Sequence, residues 1–193
     1  MGSISYFLVG LVLFFGAHMF AAVRSRAPDG LAQRIGRGPY MGLFSLISLA
    51  GLVMLIIGYG GFRNTIPVWD PPVWTRHIPL TLMLPSLILL VAAYAPAGYI
   101  KKYSKHPMLA AVKIWAFAHL CANGDLASVI LFGAFLAYGV IDRIIVKGRG
   151  DPMAGKTPSP MGDAIAIVGG AIAYAAIAFW AHEALIGVPV MPV

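Results

Sequence analysis

Residues 106–125 read HPMLAAVKIWAFAHLCANGD, and this stretch predicts one short membrane helix. Pro107 falls in the first turn, where a proline costs no helical hydrogen bond, and Asn123-Gly124 supplies a stop signal. Ionisable side chains are costly at membrane depth, so each one in such a helix is a candidate for function. The segment carries an unusual set of reactive or polar side chains for so apolar a setting: Lys113, Trp115, His119 and Cys121.

The rest of the chain is equally apolar. Of its 193 residues 60% are hydrophobic and only 11% are charged, and the mean hydropathy is +0.83. A water-soluble globule is therefore excluded, and we predict an all-α polytopic transmembrane helix bundle that forms a single domain over residues 1–193. Apolar runs long enough to cross a hydrocarbon core of about 30 Å predict about six spans, near residues 4–23, 40–60, 77–96, 107–122, 126–146 and 163–187.

The net charge of +7 comes from basic residues in the loops between these runs. They form no basic face interleaved with aromatic side chains, so nucleic acid is not an expected partner. Cytoplasmic loops of membrane proteins are enriched in Lys and Arg, which predicts that both termini lie outside the cytoplasm. Eleven of the 14 Lys and Arg residues fall in the odd-numbered loops: Arg24, Arg26, Arg34, Arg37, Lys101, Lys102, Lys105, Arg143, Lys147, Arg149 and Lys156.

Two of the five histidines, His18 and His119, fall deep within predicted membrane helices. A buried imidazole needs a hydrogen-bond partner or a metal, so each is expected either to form an interhelical hydrogen bond or to ligate a metal or haem. Two neutral imidazoles on different helices can hold a haem iron. At about 1.5 Å per residue the two differ in depth by about 10 Å. His106 matches His18 better in depth and is the reserve ligand.

The other polar residues have plainer explanations. We expect His77 at an interface and His182 in an interfacial pair with Glu183. The single cysteine, Cys121, is expected to be an inert buried thiol, and the absence of a CxxCH motif excludes covalent haem attachment. Lys113 either extends to the cytoplasmic interface or pairs with an anion such as a haem propionate.

Two predictions concern packing. Asp125 is expected to be the N-cap of the helix that follows it. Small residues four apart, Gly133/Ala137 and Ala166/Gly170, are expected to allow close helix approach.

Three stretches of the chain resemble the NnrU family of bacterial membrane proteins, which is similar to plant and cyanobacterial 15-cis-zeta-carotene isomerase. They are GAHMF around His18, GPYMGLFSLISLAGLVMLIIGYG over residues 38–60, and the 106–125 segment. The resemblance implies six or seven helices in a bacterial inner membrane and, from the isomerase branch, a non-covalent haem b with two axial histidines. The residues that match those histidines are His18 and His119. Lys113 and Trp115 of the same helix are further candidates for haem contact. The isomerase has a cysteine where this chain has Ala116, so ligand exchange through that position is not expected here.

Three functions follow as hypotheses. The first is a haem-dependent, redox-controlled isomerase acting on a lipophilic polyene. The second is a non-catalytic haem redox or assembly partner in nitrite and nitric-oxide reduction, which the family name suggests. The third is a cofactor-free small transporter. The sequence argues against it, because it contains neither a repeat of broken helices nor a line of carboxylates that would mark a transport pathway.

Overall fold

The computed structural model describes residues 2–24 and 30–190, and within them the chain is helical with no strand. This confirms the predicted all-α polytopic fold. Five helical segments are long and apolar enough to cross a membrane: Ser3–Val23, Arg37–Phe62, Val73–Tyr94, Leu126–Lys147 and Pro160–Ile186. The sixth apolar helix, Pro107–Ala122, has 16 residues. At about 1.5 Å per residue it is about 24 Å long, which is shorter than the hydrocarbon core.

The helices are α1 Ser3–Arg24, α2 Leu31–Ile35, α3 Arg37–Phe62, α4 His77–Tyr94, α5 Tyr99–Ser104, α6 Pro107–Ala122, α7 Leu126–Lys147, α8 Pro160–Ala176 and α9 His182–Ile186. A 3-10 turn, Val73–Arg76, leads into α4, and a π-helical turn, Ile177–Ala181, joins α8 to α9. The short helices α2 and α5 fall in stretches that the sequence predicts as loops. Arg26, one of the basic residues of loop one, lies outside the described residues.

The chain divides into two compact units, and the first comprises Met1–Asp70 and Gly124–Arg149. Its central feature is a close pair of helices, α1 and α3, whose backbones meet at glycines. A Cβ at Gly10 would lie 2.5 Å from the Leu55 nitrogen, and one at Gly58 would overlap the backbone of Phe7. Glycine is required here because any side chain would push the helices apart.

A series of buried hydrogen bonds between polar side chains fixes the start of α7 within the same unit. The Asp125 carboxylate accepts a hydrogen bond from the Ser128 backbone N–H at 3.1 Å, which confirms the predicted N-cap. The Ser128 hydroxyl donates to Asp125 at 2.5 Å and also lies 2.8 Å from the Tyr59 hydroxyl. Burial of this aspartate is therefore compensated by local hydrogen bonds.

The second unit, Pro71–Asn123 and Gly150–Val193, packs α4 against both α6 and α8. A Cβ at Gly170 would lie 2.6 Å from the Ile88 Cα, which confirms close approach at this predicted small residue. Two side chains donate hydrogen bonds between helices: Ser86 to the Ala111 carbonyl at 2.9 Å and Tyr174 to the Leu80 carbonyl at 2.8 Å. Such bonds hold helices together in the apolar interior.

One packing prediction was wrong. A Cβ at Gly133 would have nothing within 4 Å, so this glycine does not mediate a close approach. Its spacing from Ala137 is the same as that of Ala166 from Gly170. What differs is the surface that each pair faces, which spacing alone does not specify.

Candidate functional site

His18 lies on α1 among aromatic rings of the first unit. Its ring centroid is 4.2 Å from that of Phe14, 5.1 Å from Phe44 and 5.8 Å from Tyr138. The side chain is half-buried. The imidazole is thus enclosed by apolar faces of the kind that line a porphyrin pocket.

The hydrogen bond at His18 determines which ring nitrogen carries the proton. Nδ1 lies 2.7 Å from the carbonyl oxygen of Phe14. A carbonyl only accepts, so Nδ1 is the donor and, in a neutral ring, Nε2 carries the lone pair. Among the described residues Nε2 of His18 has no hydrogen-bond partner. The interhelical hydrogen bond that is the alternative to iron ligation is therefore not present in that part of the chain.

His119 lies on α6 in the second unit and has the same local geometry. Its Nδ1 lies 2.8 Å from the Trp115 carbonyl oxygen, and the two rings have centroids 5.3 Å apart. Asn123 donates its side-chain N–H to the His119 carbonyl at 2.8 Å. The helix stop predicted from Asn123-Gly124 thus also caps the turn that bears this histidine. Its Nε2 is again the nitrogen with the lone pair.

Both histidines fit the requirements of an axial haem ligand, considered separately within their own units. Metal-bound histidines commonly donate the second ring N–H to a carbonyl, which fixes the tautomer and makes the ligating nitrogen more basic. The described residues contain no group of three or more His, Cys, Asp or Glu side chains that could hold a metal ion. A haem needs none, because the porphyrin supplies four nitrogens and the protein only the axial ligands.

The other predicted residues of α6 lie within the second unit. Lys113 is half-buried and forms no ion pair with a described residue. Trp115 contacts His119, as the four-residue spacing predicts. Ala116 is fully buried, and Cys121 is a half-buried free thiol. Position 116 is therefore an apolar packing position.

The remaining histidines lie at helix ends. His106 is the N-cap of α6, and His77 is the exposed first residue of α4. The predicted pair between His182 and Glu183 is wrong, because His182 Nδ1 instead lies 2.7 Å from the Val188 carbonyl oxygen. His182 directly follows the π-helical turn.

Sequence analysis did not identify the aromatic partners of His18. Phe44 and Tyr138 lie far from it along the chain, and only helix pairing brings them to the imidazole. Tyr138 also donates a hydrogen bond to Asp142 at 3.2 Å. The four-residue spacing of Tyr138 and Asp142 is the one sequence signal that could have singled this tyrosine out.

Comparison with known proteins gives one match. No curated protein and no solved structure matches the chain. A family model described as "NnrU protein" matches residues 6–190, which is nearly the whole length. This multi-pass, all-helical chain therefore belongs to the NnrU family of membrane proteins.

Proposed function

We propose that this chain is a haem b protein of the membrane, in which His18 and His119 supply the axial nitrogen ligands of a non-covalent haem. The observation that carries the proposal is the matching geometry of the two rings. Each Nδ1 donates to the carbonyl one turn earlier, at 2.7 Å and 2.8 Å, and so leaves Nε2 as the nitrogen with the lone pair.

The residues around each histidine have defined roles in this proposal. The Phe14 and Trp115 carbonyls hold the imidazoles in one tautomer and one orientation. Phe14, Phe44 and Tyr138 exclude water from the ring of His18. When bound, the haem supplies one-electron redox chemistry, and two neutral imidazoles favour a low-spin iron.

We propose redox-dependent, isomerase-like chemistry on a lipophilic polyene as the catalytic role. It draws support from the family's similarity to the carotene isomerase and from the bilayer setting, in which such a substrate dissolves. If haem is bound, His18 and His119 would hold the iron and the haem would supply the redox chemistry. Ala116 would contribute no sulfur ligand.

A second candidate is a non-catalytic redox or assembly role in nitrite and nitric-oxide reduction. The buried Ala116 favours it, because an iron with two fixed histidines and no exchange ligand suits electron transfer better than substrate binding.

The absorption spectrum of the purified full-length protein tests the proposal. Protein from haem-replete cells is expected to show a Soret band and, on reduction, the sharp α and β bands of low-spin haem b. Colourless protein that also fails to bind added haemin would refute it. Polyene isomerisation by the reduced protein would then separate the catalytic role from the electron-transfer role.

A further inference from the structure

A groove of about 290 Å³ lies between α1 and α3 in the first unit. Residues of α1 between Val12 and Phe20 line one wall, and residues of α3 between Tyr40 and Ile47 line the other. Three of the lining side chains are well exposed: Val12 at 72%, Leu43 at 46% and Phe20 at 45%. Within this unit the groove is thus lined by exposed apolar side chains, which suit contact with lipid in membrane-spanning helices.

One polar side chain lines this apolar groove. Tyr40 is only 6% exposed, and its hydroxyl is fully buried with no hydrogen-bond partner among the described residues. A buried hydroxyl normally finds an acceptor, since leaving it unpaired costs free energy. The groove therefore has an apolar body and one donor that needs an oxygen.

Two basic residues lie close to Tyr40 along the chain. Arg37 is the first residue of α3, one turn before Tyr40, and its side chain is exposed. Arg34 lies in the last turn of α2, and Leu31 of that same short helix lines the groove. Along α3 the order is thus a cation, then a hydroxyl donor, then an apolar groove.

This order matches the layers of a phospholipid, in which a phosphate is followed by an ester carbonyl and then by an acyl chain. We propose that the groove binds one acyl chain of an anionic glycerophospholipid, whose ester carbonyl accepts a hydrogen bond from Tyr40 and whose phosphate faces Arg37. The site is separate from the haem proposal, although Phe44 contacts His18 and also lines the groove.

The proposal requires one wall of the groove to shift, because the Tyr40 hydroxyl is fully buried in this structure. Leu31 belongs to a helix of five residues that is flanked by Gly30 and by Gly36, which has φ +89. We place the shift that the proposal requires at this short helix, because Leu31 is the one lining residue among those described that belongs to neither α1 nor α3.

The test is lipid titration of the delipidated full-length protein, measured by native mass spectrometry. Phosphatidylglycerol should bind more tightly than phosphatidylcholine, and Tyr40→Phe should weaken phosphatidylglycerol binding about three- to tenfold, as expected for loss of one hydrogen bond. Arg37→Gln should remove the preference for the anionic lipid. Ser48→Ala is the matched control, because the Ser48 hydroxyl is also buried and unpartnered but does not line the groove. It should bind phosphatidylglycerol like the wild type.

Three results would overturn the proposal. Equal affinity of the wild-type protein for the two lipids would do so even if a variant failed to fold. Unchanged phosphatidylglycerol affinity in Tyr40→Phe, together with higher thermal stability, would identify the hydroxyl as an uncompensated buried group. Tyr40-dependent binding of a quinone that phosphatidylglycerol does not displace would also exclude the phospholipid.

Discussion

Nδ1 of His18 lies 2.7 Å from the carbonyl oxygen of Phe14, one helical turn earlier on α1. The imidazole N–H therefore donates its hydrogen bond within α1. His119 repeats it with Trp115 on α6, so an aromatic residue precedes each histidine by four positions and accepts through its backbone. In each neutral ring this contact leaves Nε2 as the nitrogen with the lone pair.

Topology gives the first prediction. Eleven of the 14 Lys and Arg residues lie in the odd-numbered loops or in the helix ends that flank them, so these loops should remain in the cytoplasm. Reporter fusions after residues 30, 104 and 153 should each give a cytoplasmic signal, and fusions after residue 68 a periplasmic one. A periplasmic signal at any of the first three positions would contradict the six-helix arrangement.

The glycines between α1 and α3 give the second prediction. Gly58→Ala should lower the free energy of unfolding by about 1–3 kcal/mol, because the new Cβ overlaps the Phe7 backbone. Gly133→Ala is the matched control, since its Cβ would meet nothing within 4 Å. Thermal unfolding in detergent should show a lower midpoint for Gly58→Ala alone. Equal midpoints would mean that α1 and α3 are not closely packed.

The third prediction concerns Lys113, whose charge within α6 has two possible explanations. It lies six residues after Pro107, about 9 Å along the helix, so its side chain can extend to the interface. We expect Lys113→Met to leave the ratio of haem to protein unchanged, measured by absorbance after purification. A clear loss of haem in this variant, with His182→Ala at the wild-type ratio, would instead support a propionate contact.

Much of the fold follows from the sequence because the residues that begin and end its helices give strong signals. Pro107 and Asn123-Gly124 predict α6 at the bounds that the structure gives, Pro107–Ala122. The short helices α2 and α5 were missed because five or six residues produce no apolar run. The π-helical turn over Ile177–Ala181 was also missed, since nothing in those residues distinguishes it from continuous α-helix.

The site is only partly predictable for a related reason. Helical spacing places Trp115 beside His119, because both lie on one helix face. Phe44, Tyr138 and Tyr40 depend on which helices pair and on their rotation, and apolar sequences carry little information about either. The glycines that set the pairing of α1 and α3 could not be distinguished by spacing from glycines that face open space, such as Gly133.

The reduced-minus-oxidised absorption spectrum of single histidine variants tests the central claim most directly. His18→Ala and His119→Ala should each abolish the low-spin bis-histidine spectrum, because each removes one axial nitrogen. His182→Ala and His106→Ala should retain it. An intact low-spin spectrum in His119→Ala, lost instead in His106→Ala, would contradict the assignment of His119 as the second ligand.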